Sequence, residues 1–600
     1  MGRSLNLLAA LFGHASGCTV FAVGKAATEA SLGNSGAWLM TPGLVTRQDG
    51  SVLVSHSDDG EALNDARGQA RLIYVPAADH APGAKRPIFY TPESYPRYLG
   101  SAMGPDYQPD PDTAGYPVFE PIGYIDQVSH TYGYQSGSYG VINEHGVSVG
   151  ESTCSAVFGT CGKNSTTGCE PGRKVGEALM SIDTLSYLAM ERSTSSRQAV
   201  ELIGGLASKY GFYGPPDSFE GSGESLIIAD PDEAWAFQIL SDPTGTSAIW
   251  AARRVPDTDM TVVANMFTIR EVNAFEKDNF ILSPNIFNVA ESKGWWKQGQ
   301  AFDFTLMYSG GEYAHKYYSG RRMWRGLQMA SPSLSLPAEY EDIRYKPVYP
   351  WSVKPDKAVS HHDVMAWHRD WYAGTKYDMT KGVQAGPFGS PDRFATNSQV
   401  KGSWERSIAL YRTNAVYVQK LMHPAEGRPQ GLASVAWYGA GPAHYTVFIP
   451  VPSGVTETVV PLRWANPNGY SAQSMNWNVR KVMDVCQVRF DAMHQMVEAA
   501  QRDLERKGDQ LVEAMRKGGH STQEVNAAFQ GFATEALQSW QQLTQNMLYS
   551  YSDNSRSAQG WKPMSYPDEW LEHSGYKEGP PPAPVEDKCP PKCDDGELVV

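Results

Sequence analysis

The sequence lacks a run of apolar residues long enough to cross a lipid bilayer. A membrane-spanning helix needs about 20 consecutive apolar residues, and no stretch of the chain approaches that length. We therefore expect no stable membrane insertion.

Basic residues are also fewer than acidic residues. The chain has 51 Lys and Arg against 65 Asp and Glu, which gives a formal net charge of -14. This charge repels a phosphate backbone unless a local basic patch overrides it, and the sequence contains no such patch. We therefore expect no nucleic-acid partner. Apolar residues make up 41% and charged residues 19% of the chain, a composition typical of a large globular core.

Cysteines are few, and their number is odd. The seven are Cys18, Cys154, Cys161, Cys169, Cys486, Cys589 and Cys593. In an exported protein this number fits three disulfides plus one reactive thiol, and Cys18 is the candidate for that thiol. Zinc is the alternative for the cluster at 154–169, but its gaps contain no histidine and do not match the spacing of a zinc site.

No histidine cluster has the spacing of a metal site either. His361, His362 and His368 lie close together in the sequence, but no carboxylate accompanies them at ligand spacing and tryptophans are interleaved with them. We expect no metal and no other cofactor.

The first seventeen residues read as a signal peptide or propeptide that ends immediately before Cys18. Arg3 supplies a positive start, residues 5–12 form an apolar run, and residues 15–17 (A-S-G) are small. The alternatives are an ordinary first element of the fold and a lipoprotein signal, although Ala15 stands where a lipoprotein signal prefers Leu. A signal peptide implies a secreted, periplasmic or lysosome-like location. Whether a signal peptidase or the protein itself makes the cut stays open.

Hydrophobic periodicity predicts a mixed, layered fold. Alternating patterns predict strands at 18–23, 51–56 and 261–265, two short strands around a turn within 140–150, and a hairpin at 225–240. Helical patterns predict helices at 174–191 and 196–210. Residues 479–549 are amphipathic with a Gly-Gly break at 518–519, which predicts a helical hairpin. This order of elements predicts an α+β fold, arranged as layered sheets with helices outside.

Several short motifs follow one another in a recognisable order. They are C-T-x4-G-K-x-A-T at 18–28, D-G-S-x5-S-D-D at 49–59, I-N-E-H at 142–145 with G-E-S-T at 150–153, Y-G-F-Y-G at 210–214, V-A-N at 263–265 and Y-D-M-T-K-G with G-P-F-G-S-P-D-R-F within 377–394. Together they resemble the cysteine dipeptidase family of the N-terminal nucleophile (Ntn) hydrolases, whose members are dipeptidase- or secernin-like. The resemblance runs from Cys18 to about residue 549.

The resemblance implies a domain plan. Residues 1–17 are removed, residues 18–475 form an Ntn-type four-layer α/β/β/α sandwich, and residues 476–555 form a C-terminal helical segment packed on the core. Residues 576–600 are rich in proline and read as a disordered tail. Residues 29–48 separate two strands that a short turn joins in the family, so they are an insertion or a gene-modelling error.

Chemistry explains why such a family places cysteine at its mature N-terminus. A free α-amine has a pKa near ~8, so it is partly unprotonated at neutral pH and can take the proton of its own thiol. The thiolate attacks the scissile carbonyl, the amine returns the proton to the leaving group, and water hydrolyses the thioester. The resemblance gives Cys18 this role.

The resemblance also nominates the other catalytic residues. Asn265 and Thr153 are expected to stabilise the oxyanion, Asp59 to orient the amine and thiol of Cys18, and Arg393 to favour the thiolate by its positive charge. From residue types alone, Asn265 would be a turn residue, Thr153 a strand residue, Asp59 part of a turn and Arg393 a surface arginine.

Three residues are candidates for binding substrate: His56, Asp58 and Asn143. His56 departs from the family, whose members usually carry Arg-Asn or a similar pair before the acids, so the electrostatics near the thiolate are expected to differ. Asp58 is expected to face solvent, where it or Asp59 could hold a substrate ammonium group.

We therefore interpret the chain as a cysteine-dependent dipeptidase that acts on a small peptide substrate. One alternative is an Ntn amidase that cleaves a non-peptide acylated amine, as penicillin-acylase-like and ceramidase-like relatives do. The other is a catalytically silent binding protein with the same fold, favoured if residues 1–17 stay attached. The helices after residue 479 could mediate a homo-oligomer, but a packed subdomain is the stronger interpretation.

Overall fold

The computed structural model describes residues 18–28, 49–60, 71–90, 120–166, 174–214, 222–311, 316–339, 349–394, 404–427, 429–463 and 469–576. The predicted signal peptide, the segment 29–48 and the tail after residue 576 lie outside these ranges, as do Cys169, Cys589 and Cys593. The predicted domain boundaries stay predictions.

Twenty strands occur in the described residues. They are β1 (Val20–Val23), β2 (Val52–Asp58), β3 (Ile73–Val75), β4 (Ala78–Asp79), β5 (Lys85–Phe89), β6 (Pro121–Asp126), β7 (His130–Thr131), β8 (Tyr134–Ser136), β9 (Gly140–Asn143), β10 (Ser148–Cys154), β11 (Gly223–Ala229), β12 (Ala234–Ser241), β13 (Ala248–Arg254), β14 (Met260–Val263), β15 (Phe280–Leu282), β16 (Ala415–Leu421), β17 (Val435–Gly439), β18 (Ile449–Pro452), β19 (Ser555–Arg556) and β20 (Lys562–Pro563).

Most strands belong to two large antiparallel sheets. One has six strands in the order β14-β1-β2-β16-β17-β18, and the other has eight in the order β15-β13-β12-β11-β10-β9-β8-β3. Residues 18–23 and 51–58 thus meet at the centre of the six-stranded sheet, where Ala22 pairs with Val54. The hairpin predicted at 225–240 is present, with Leu226 opposite Phe237.

The two sheets pack face to face, with β10 lying against β2 and β1. Gly150 allows this approach, because a Cβ atom there would lie 2.6 Å from the carbonyl oxygen of Ser55 and 2.9 Å from Val20. Alternation along the strands sends apolar side chains into this interface, where Val20, Val54 and Ile227 are buried in the largest hydrophobic cluster.

Eleven α-helices are described. They are α1 (Ile182–Arg192), α2 (Ser196–Tyr210), α3 (Ile286–Ser292), α4 (Phe304–Tyr308), α5 (Arg321–Ala330), α6 (His361–His368), α7 (Val460–Arg463), α8 (Met475–Cys486), α9 (Phe490–Arg516), α10 (Thr522–Ser550) and α11 (Asp568–His573). A π-helical turn, Lys316–Gly320, leads directly into α5.

Helices cover the outer face of each sheet. Helices α1 and α2 pack on the eight-stranded sheet, while α5, α6, α9 and α10 pack on the six-stranded sheet. Glycines mark the closest approaches: a Cβ atom on Gly326 of α5 would clash with Phe21, and one on Gly508 of α9 would clash with Trp437. The α+β class expected from the sequence is confirmed.

Two helix predictions had different outcomes. The helix predicted at 196–210 is present as α2, with Ser195 as its N-cap. The helix predicted to begin at 174 begins only at Ile182, because the Ser181 side chain caps it by accepting a bond from the Thr184 N–H and the preceding residues form isolated bridges such as Gly162 with Ala178. Among the described helices, none is both long and apolar enough to span a membrane.

The expectation of three disulfides is wrong for two of the cysteines. Cys154 and Cys486 carry thiols rather than disulfides, and both are buried. Cys154 ends β10 and donates its S–H to the carbonyl of Ser152, whereas Cys486 is the last residue of α8. Cys18 also carries a thiol, as predicted.

Candidate active site

Cys18 lies two residues before β1, where the backbone is fixed to β2. The N–H of Ser57 donates to the carbonyl of Thr19 at 3.0 Å, and the Ser57 hydroxyl accepts the N–H of Thr19 at 3.1 Å. Cys18 is buried, with 2% of its surface exposed. The thiol is therefore carried by a backbone that has little freedom to move.

Arg322 connects Cys18 to Asn265. Its Nη1 donates to the carbonyl of Cys18 at 2.8 Å and to the Thr19 hydroxyl at 3.0 Å, and its Nη2 donates to Oδ1 of Asn265 at 2.7 Å. The guanidinium is fully buried, and burial is the main reason why its pKa falls to about 10. Arg322 therefore stays cationic at neutral pH, and it contacts the backbone carbonyl of Cys18 rather than the thiol.

Asn265 has an uncommon backbone conformation, and hydrogen bonds hold both its side chain and its backbone N–H. Its φ of 55° lies in the left-handed region, which is uncommon for residues other than glycine. Oδ1 accepts from Arg322, so Nδ2 is the donor, and it gives one hydrogen to the carbonyl of Thr153 at 2.7 Å. The backbone N–H of Asn265 donates to the Ser152 hydroxyl at 2.9 Å. The second hydrogen of Nδ2 remains for another acceptor.

The Cys18 thiol lies beside a buried His–Glu pair. His56 of β2 and Glu151 of β10 are fully buried, and Nε2 of His56 is 3.5 Å from Oε2 of Glu151. Nδ1 of His56 is 3.0 Å from the hydroxyl of Tyr417, and Oε1 of Glu151 accepts the hydroxyl of Thr153 at 2.9 Å. One ligand-type atom from each of Cys18, His56 and Glu151 lies within 4.8 Å of the other two.

Asp59 is near Cys18, and its carboxylate is already engaged. Oδ2 accepts from Arg406 at 2.8 Å and Oδ1 accepts the Thr413 hydroxyl at 2.5 Å. Its backbone N–H is hydrogen-bonded to Cys18 and favours the thiolate. The structure thus brings Asp59 next to the thiol, but through its main chain.

The expectation that Asp58 faces solvent is wrong. Asp58 ends β2 and is buried, and its Oδ2 accepts the hydroxyl of Ser138 at 2.5 Å. The strand continues two residues beyond its predicted end and pairs with β16, with Asp58 opposite Ala415. Its carboxylate points toward the eight-stranded sheet, where Ser138 lies between β8 and β9.

Electrostatics disfavour the thiolate in the uncleaved chain. Burial raises the pKa of Cys18 well above its ordinary value, and the negative charges of Glu151, Asp58 and Asp59 raise it further. The hydrogen bond from the backbone of Asp59 opposes this shift without cancelling it. A positive charge in this pocket would restore the nucleophile, because an opposite charge nearby favours the charged form of a thiol.

Two residues nominated from the sequence lie away from Cys18. The guanidinium of Arg393 donates to the carbonyls of Ser390, Asp392 and Met379, and it has no hydrogen bond or ion pair to Cys18. The cation near Cys18 is Arg322 instead. It belongs to helix α5, which none of the sequence motifs covers.

Asn143 is fully occupied by backbone groups. Its Nδ2 donates to the carbonyls of Met190 and Ser193, and its Oδ1 accepts the N–H groups of His145 and Val147. These four bonds close the turn between β9 and β10 and attach it to α1. The arrangement leaves its amide no capacity to bind a substrate.

Thr153 is buried in β10, and its hydroxyl donates to Glu151. Its carbonyl, rather than its side chain, contacts Asn265. Its hydroxyl and its carbonyl thus contact two different residues of the cluster, Glu151 and Asn265.

Glu151, Ser152, Arg322 and Arg406 were missed as site residues. Glu151 and Ser152 lie within the G-E-S-T motif. Two adjacent polar residues in a strand are a signal that could have singled them out, because a buried polar group needs a partner. Arg322 and Arg406 come from distant segments of the chain, and nothing in their local sequence connects them to Cys18.

The three histidines that were not expected to bind a metal lie in two different places. His361 and His362 contact Asp509 of α9, at 3.0 Å and 2.7 Å, while Nε2 of His368 is 2.8 Å from the Ser55 hydroxyl. The carboxylate near the first two lies 148 residues away from His361 in sequence, which is why spacing did not reveal it.

A surface cavity of about 340 Å³ lies elsewhere, between the loop around Phe388 and helix α11. Its lining includes Lys381, Asp491 and Trp570 and none of the residues around Cys18. This cavity does not contain the candidate nucleophile, so the candidate active site is the buried cluster at Cys18.

Comparison with known proteins identifies relatives. The family model described as Peptidase family C69 matches residues 126–503, more than half of the chain. A probable dipeptidase of Latilactobacillus sakei is 22% identical over 276 residues, which cover 46% of this chain and 51% of the relative, so the chain spans about half the length of that protein.

Two further relatives are matched over more of their length. A probable dipeptidase of Salmonella dublin is 21% identical over 73% of this chain and 88% of its own length. Probable dipeptidase B of Streptococcus pyogenes serotype M1 is 22% identical over 73% of this chain and 76% of its own length. The family resemblance seen in the sequence is confirmed: the chain belongs to peptidase family C69.

Proposed function

We propose that this protein is a cysteine dipeptidase whose nucleophile is Cys18, exposed as the first residue when residues 1–17 are removed. The observation that carries the proposal is the bridge made by Arg322, which donates to the carbonyl of Cys18 and to Oδ1 of Asn265. One buried cation thereby holds Cys18 and the Asn265 amide, which is expected to stabilise the oxyanion, in fixed positions relative to each other. Such fixed geometry is what nucleophilic catalysis requires.

Removal of residues 1–17 changes the charge around the thiol. It converts the Cys18 peptide nitrogen into an amine, and the carboxylates of Asp58, Asp59 and Glu151 attract the ammonium form of that amine. The ammonium in turn offsets the negative charges that raise the pKa of the thiol. The uncleaved chain is therefore held inactive by the same carboxylates that support the mature enzyme.

The reaction follows from this arrangement. The neutral α-amine takes the proton of the thiol, and the thiolate forms a C–S bond with the scissile carbonyl carbon. The resulting oxyanion accepts the second hydrogen of Asn265 Nδ2, a donor worth about 2.7 to 4 kcal/mol of barrier. The ammonium returns the proton to the leaving amine as the C–N bond breaks, and water then hydrolyses the thioester.

The substrate class rests on the relatives, which are named as probable dipeptidases, and on the charge of the site. Three buried carboxylates around Cys18 suit a substrate with a free ammonium group next to the scissile bond. The face-to-face sheets with helices outside support the Ntn-type four-layer sandwich. We extend the proposal to export of the protein, with residues 1–17 as its signal peptide.

Substrate profiling separates this proposal from its alternatives. Dipeptides, their N-acetylated forms and fatty-acyl amines are offered to the purified mature enzyme and to Cys18→Ala. We expect turnover of free dipeptides, at least tenfold slower turnover of the acetylated forms, and none by the variant. Faster cleavage of acylated amines would favour the amidase, and no turnover by a chain that begins at Cys18 would favour the silent binding protein.

A further inference from the structure

The side chains of Cys18, His56 and Glu151 form a compact group of three metal-ligand types. One atom of each lies within 4.8 Å of the other two, and all three residues are buried. The residues come from the start of the chain, from β2 and from β10, so both sheets contribute. Proximity alone does not make a metal site, and the direction of the lone pairs decides the matter.

The neighbours of His56 determine which of its nitrogens carries the lone pair. The hydroxyl of Tyr417 donates to the carbonyl of Val149 at 3.2 Å, so it accepts from His56, whose Nδ1 is 3.0 Å away. Nδ1 of His56 therefore bears a hydrogen, so when the ring is neutral the lone pair lies on Nε2, toward Glu151. A second-shell partner on the other ring nitrogen is the usual arrangement for a histidine that binds a metal.

Glu151 presents an acceptor to the same point. The Thr153 hydroxyl holds its Oε1, and its Oε2 is 3.5 Å from Nε2 of His56. The 3.5 Å between these two atoms is longer than a normal hydrogen bond, and Cys18 and Glu224 lie within hydrogen-bonding reach of the same carboxylate. Two such atoms are held together by either a proton or a metal cation, and ligands of a tetrahedral zinc ion at about 2.05 Å lie about 3.3 Å apart, close to the 3.5 Å found here.

We propose that Cys18, His56 and Glu151 bind a Zn²⁺ ion that reversibly blocks the nucleophile. The thiol loses its proton to solvent as the S–Zn bond forms, and the ion is held by one sulfur, one nitrogen and one oxygen. Their charges balance, because a thiolate and a carboxylate offset Zn²⁺. The inhibitory role of the ion rests on the proposed function, whereas the binding site does not.

The donor set selects the class of ion. Thiolate and imidazole favour Zn²⁺ and Co²⁺, whereas Mg²⁺ and Ca²⁺ prefer oxygen ligands. Asp58 and Asp59 add negative charge nearby, which favours any cation over a neutral ligand. In the mature chain the α-amine of Cys18 would supply a fourth ligand through a five-membered chelate ring.

The test uses metal-free purified protein titrated with Co²⁺ alone and then with Zn²⁺ in competition. We expect one ion per chain and a sulfur-to-cobalt charge-transfer absorption that Zn²⁺ removes. Cys18→Ser abolishes that absorption, Glu151→Gln weakens Zn²⁺ binding by more than about 100-fold, and Tyr417→Phe weakens it by about tenfold as a second-shell change. Near-ultraviolet circular dichroism checks that each variant is folded.

Asp509→Asn is the matched control, because Asp509 joins His361 and His362 in the other group of three metal-ligand types. We expect it to leave both the cobalt absorption and the zinc affinity unchanged. Binding without a thiolate absorption, or binding lost only in Asp509→Asn, would overturn the site. Zinc binding at Cys18 together with undiminished dipeptide turnover would retain the site and overturn its inhibitory role. Absence of dipeptide turnover even without zinc would count against the proposed function alone.

Discussion

Two buried carboxylates of this protein have opposite surroundings. Asp392 accepts hydrogen bonds from His444, Tyr445 and Gln487 at 3.1, 2.8 and 2.6 Å, and their contribution lowers its pKa although burial alone would raise it. Glu151 has one oxygen satisfied by Thr153 and the other facing a histidine nitrogen at 3.5 Å. Both are shielded from water, and the pKa of Glu151 is also lowered, against the effect of burial, by His56, Glu224 and Cys18, but only Asp392 has hydrogen bonds of normal length to both oxygens.

The difference separates structural groups from reactive ones. Buried polar atoms normally find partners because an unsatisfied atom costs about 1 to 3 kcal/mol. Asp392 follows this rule and joins the loop after Phe388 to Gln487, which follows α8, and to the segment before β18. Glu151 departs from it beside a thiol, and departures of this kind concentrate at functional sites.

The largest expected effect is loss of turnover in Cys18→Ala. If Cys18 is the nucleophile, kcat/KM for a dipeptide falls by at least about 10⁴-fold, as it does when other enzymes lose a nucleophile. Cys486→Ala is the control, since it removes a buried thiol in α8 that is not part of the site. We expect that variant to lose some stability and to keep its kcat/KM. Steady-state kinetics on both would contradict the assignment if the control were the slower enzyme.

Asp392→Ala is expected to act on stability instead. It leaves three donors without their buried acceptor, and breaking a buried charged network typically costs about 3 to 5 kcal/mol. Urea unfolding of this variant and of Asp503→Ala, an exposed ion-pair residue of α9, measures the difference. A small change in the free energy of unfolding for Asp392→Ala would mean that its surroundings are not structural.

Two buried asparagines give a sharper version of the comparison. Asn265→Ala removes the proposed oxyanion donor, so kcat should fall by about 10²- to 10³-fold. Asn143→Ala removes a residue whose amide bonds only to backbone groups, so it should lower the free energy of unfolding by about 2 kcal/mol and leave kcat unchanged. Reversal of the two kinetic results would restore Asn143 as a substrate-binding residue.

The smallest effect concerns pH. Burial lowers the pKa of His368 to about 3, with a further contribution from His56 and Arg369. Between pH 6.5 and 3 the unfolded chain binds a proton at this position that the folded chain does not, so stability falls as the pH drops. The loss attributable to His368 is about 2 kcal/mol between pH 7 and pH 5.

His368→Gln removes this titration and can still bond to Ser55. Urea unfolding at both pH values should show that the variant loses about 2 kcal/mol less than the parent over this range. Equal losses in the two proteins would show that His368 is protonated in the folded state.

Much of the fold could be predicted from the sequence, because local patterns specify it. Alternation marked β2 and the hairpin of β11 and β12, helical periodicity marked α2, and Gly518-Gly519 marked the break between α9 and α10. Boundaries set by tertiary contact were missed. β2 extends to Asp58 because β16 pairs with it, and β16 lies about 360 residues later in the chain.

The site was predictable only in part for the same reason. The motifs identified Cys18 and Asn265, which the structure brings to the two ends of Arg322, but they could not identify Arg322 itself. A buried arginine is distinguished from a surface arginine such as Arg393 by what surrounds it, and those surroundings come from distant segments. The local sequence of His56 likewise could not show that Glu151 and Tyr417 enclose it.

The central claim is that Cys18, as the first residue of the mature chain, is the nucleophile. The most direct measurement is mass spectrometry of the purified active enzyme before and after a thiol alkylator, with dipeptide turnover followed on the same sample. We predict a chain that begins at Cys18 and loses turnover in proportion to a single modification on that residue. A fully active chain that retains Met1, or one that stays active with Cys18 modified, would contradict the account.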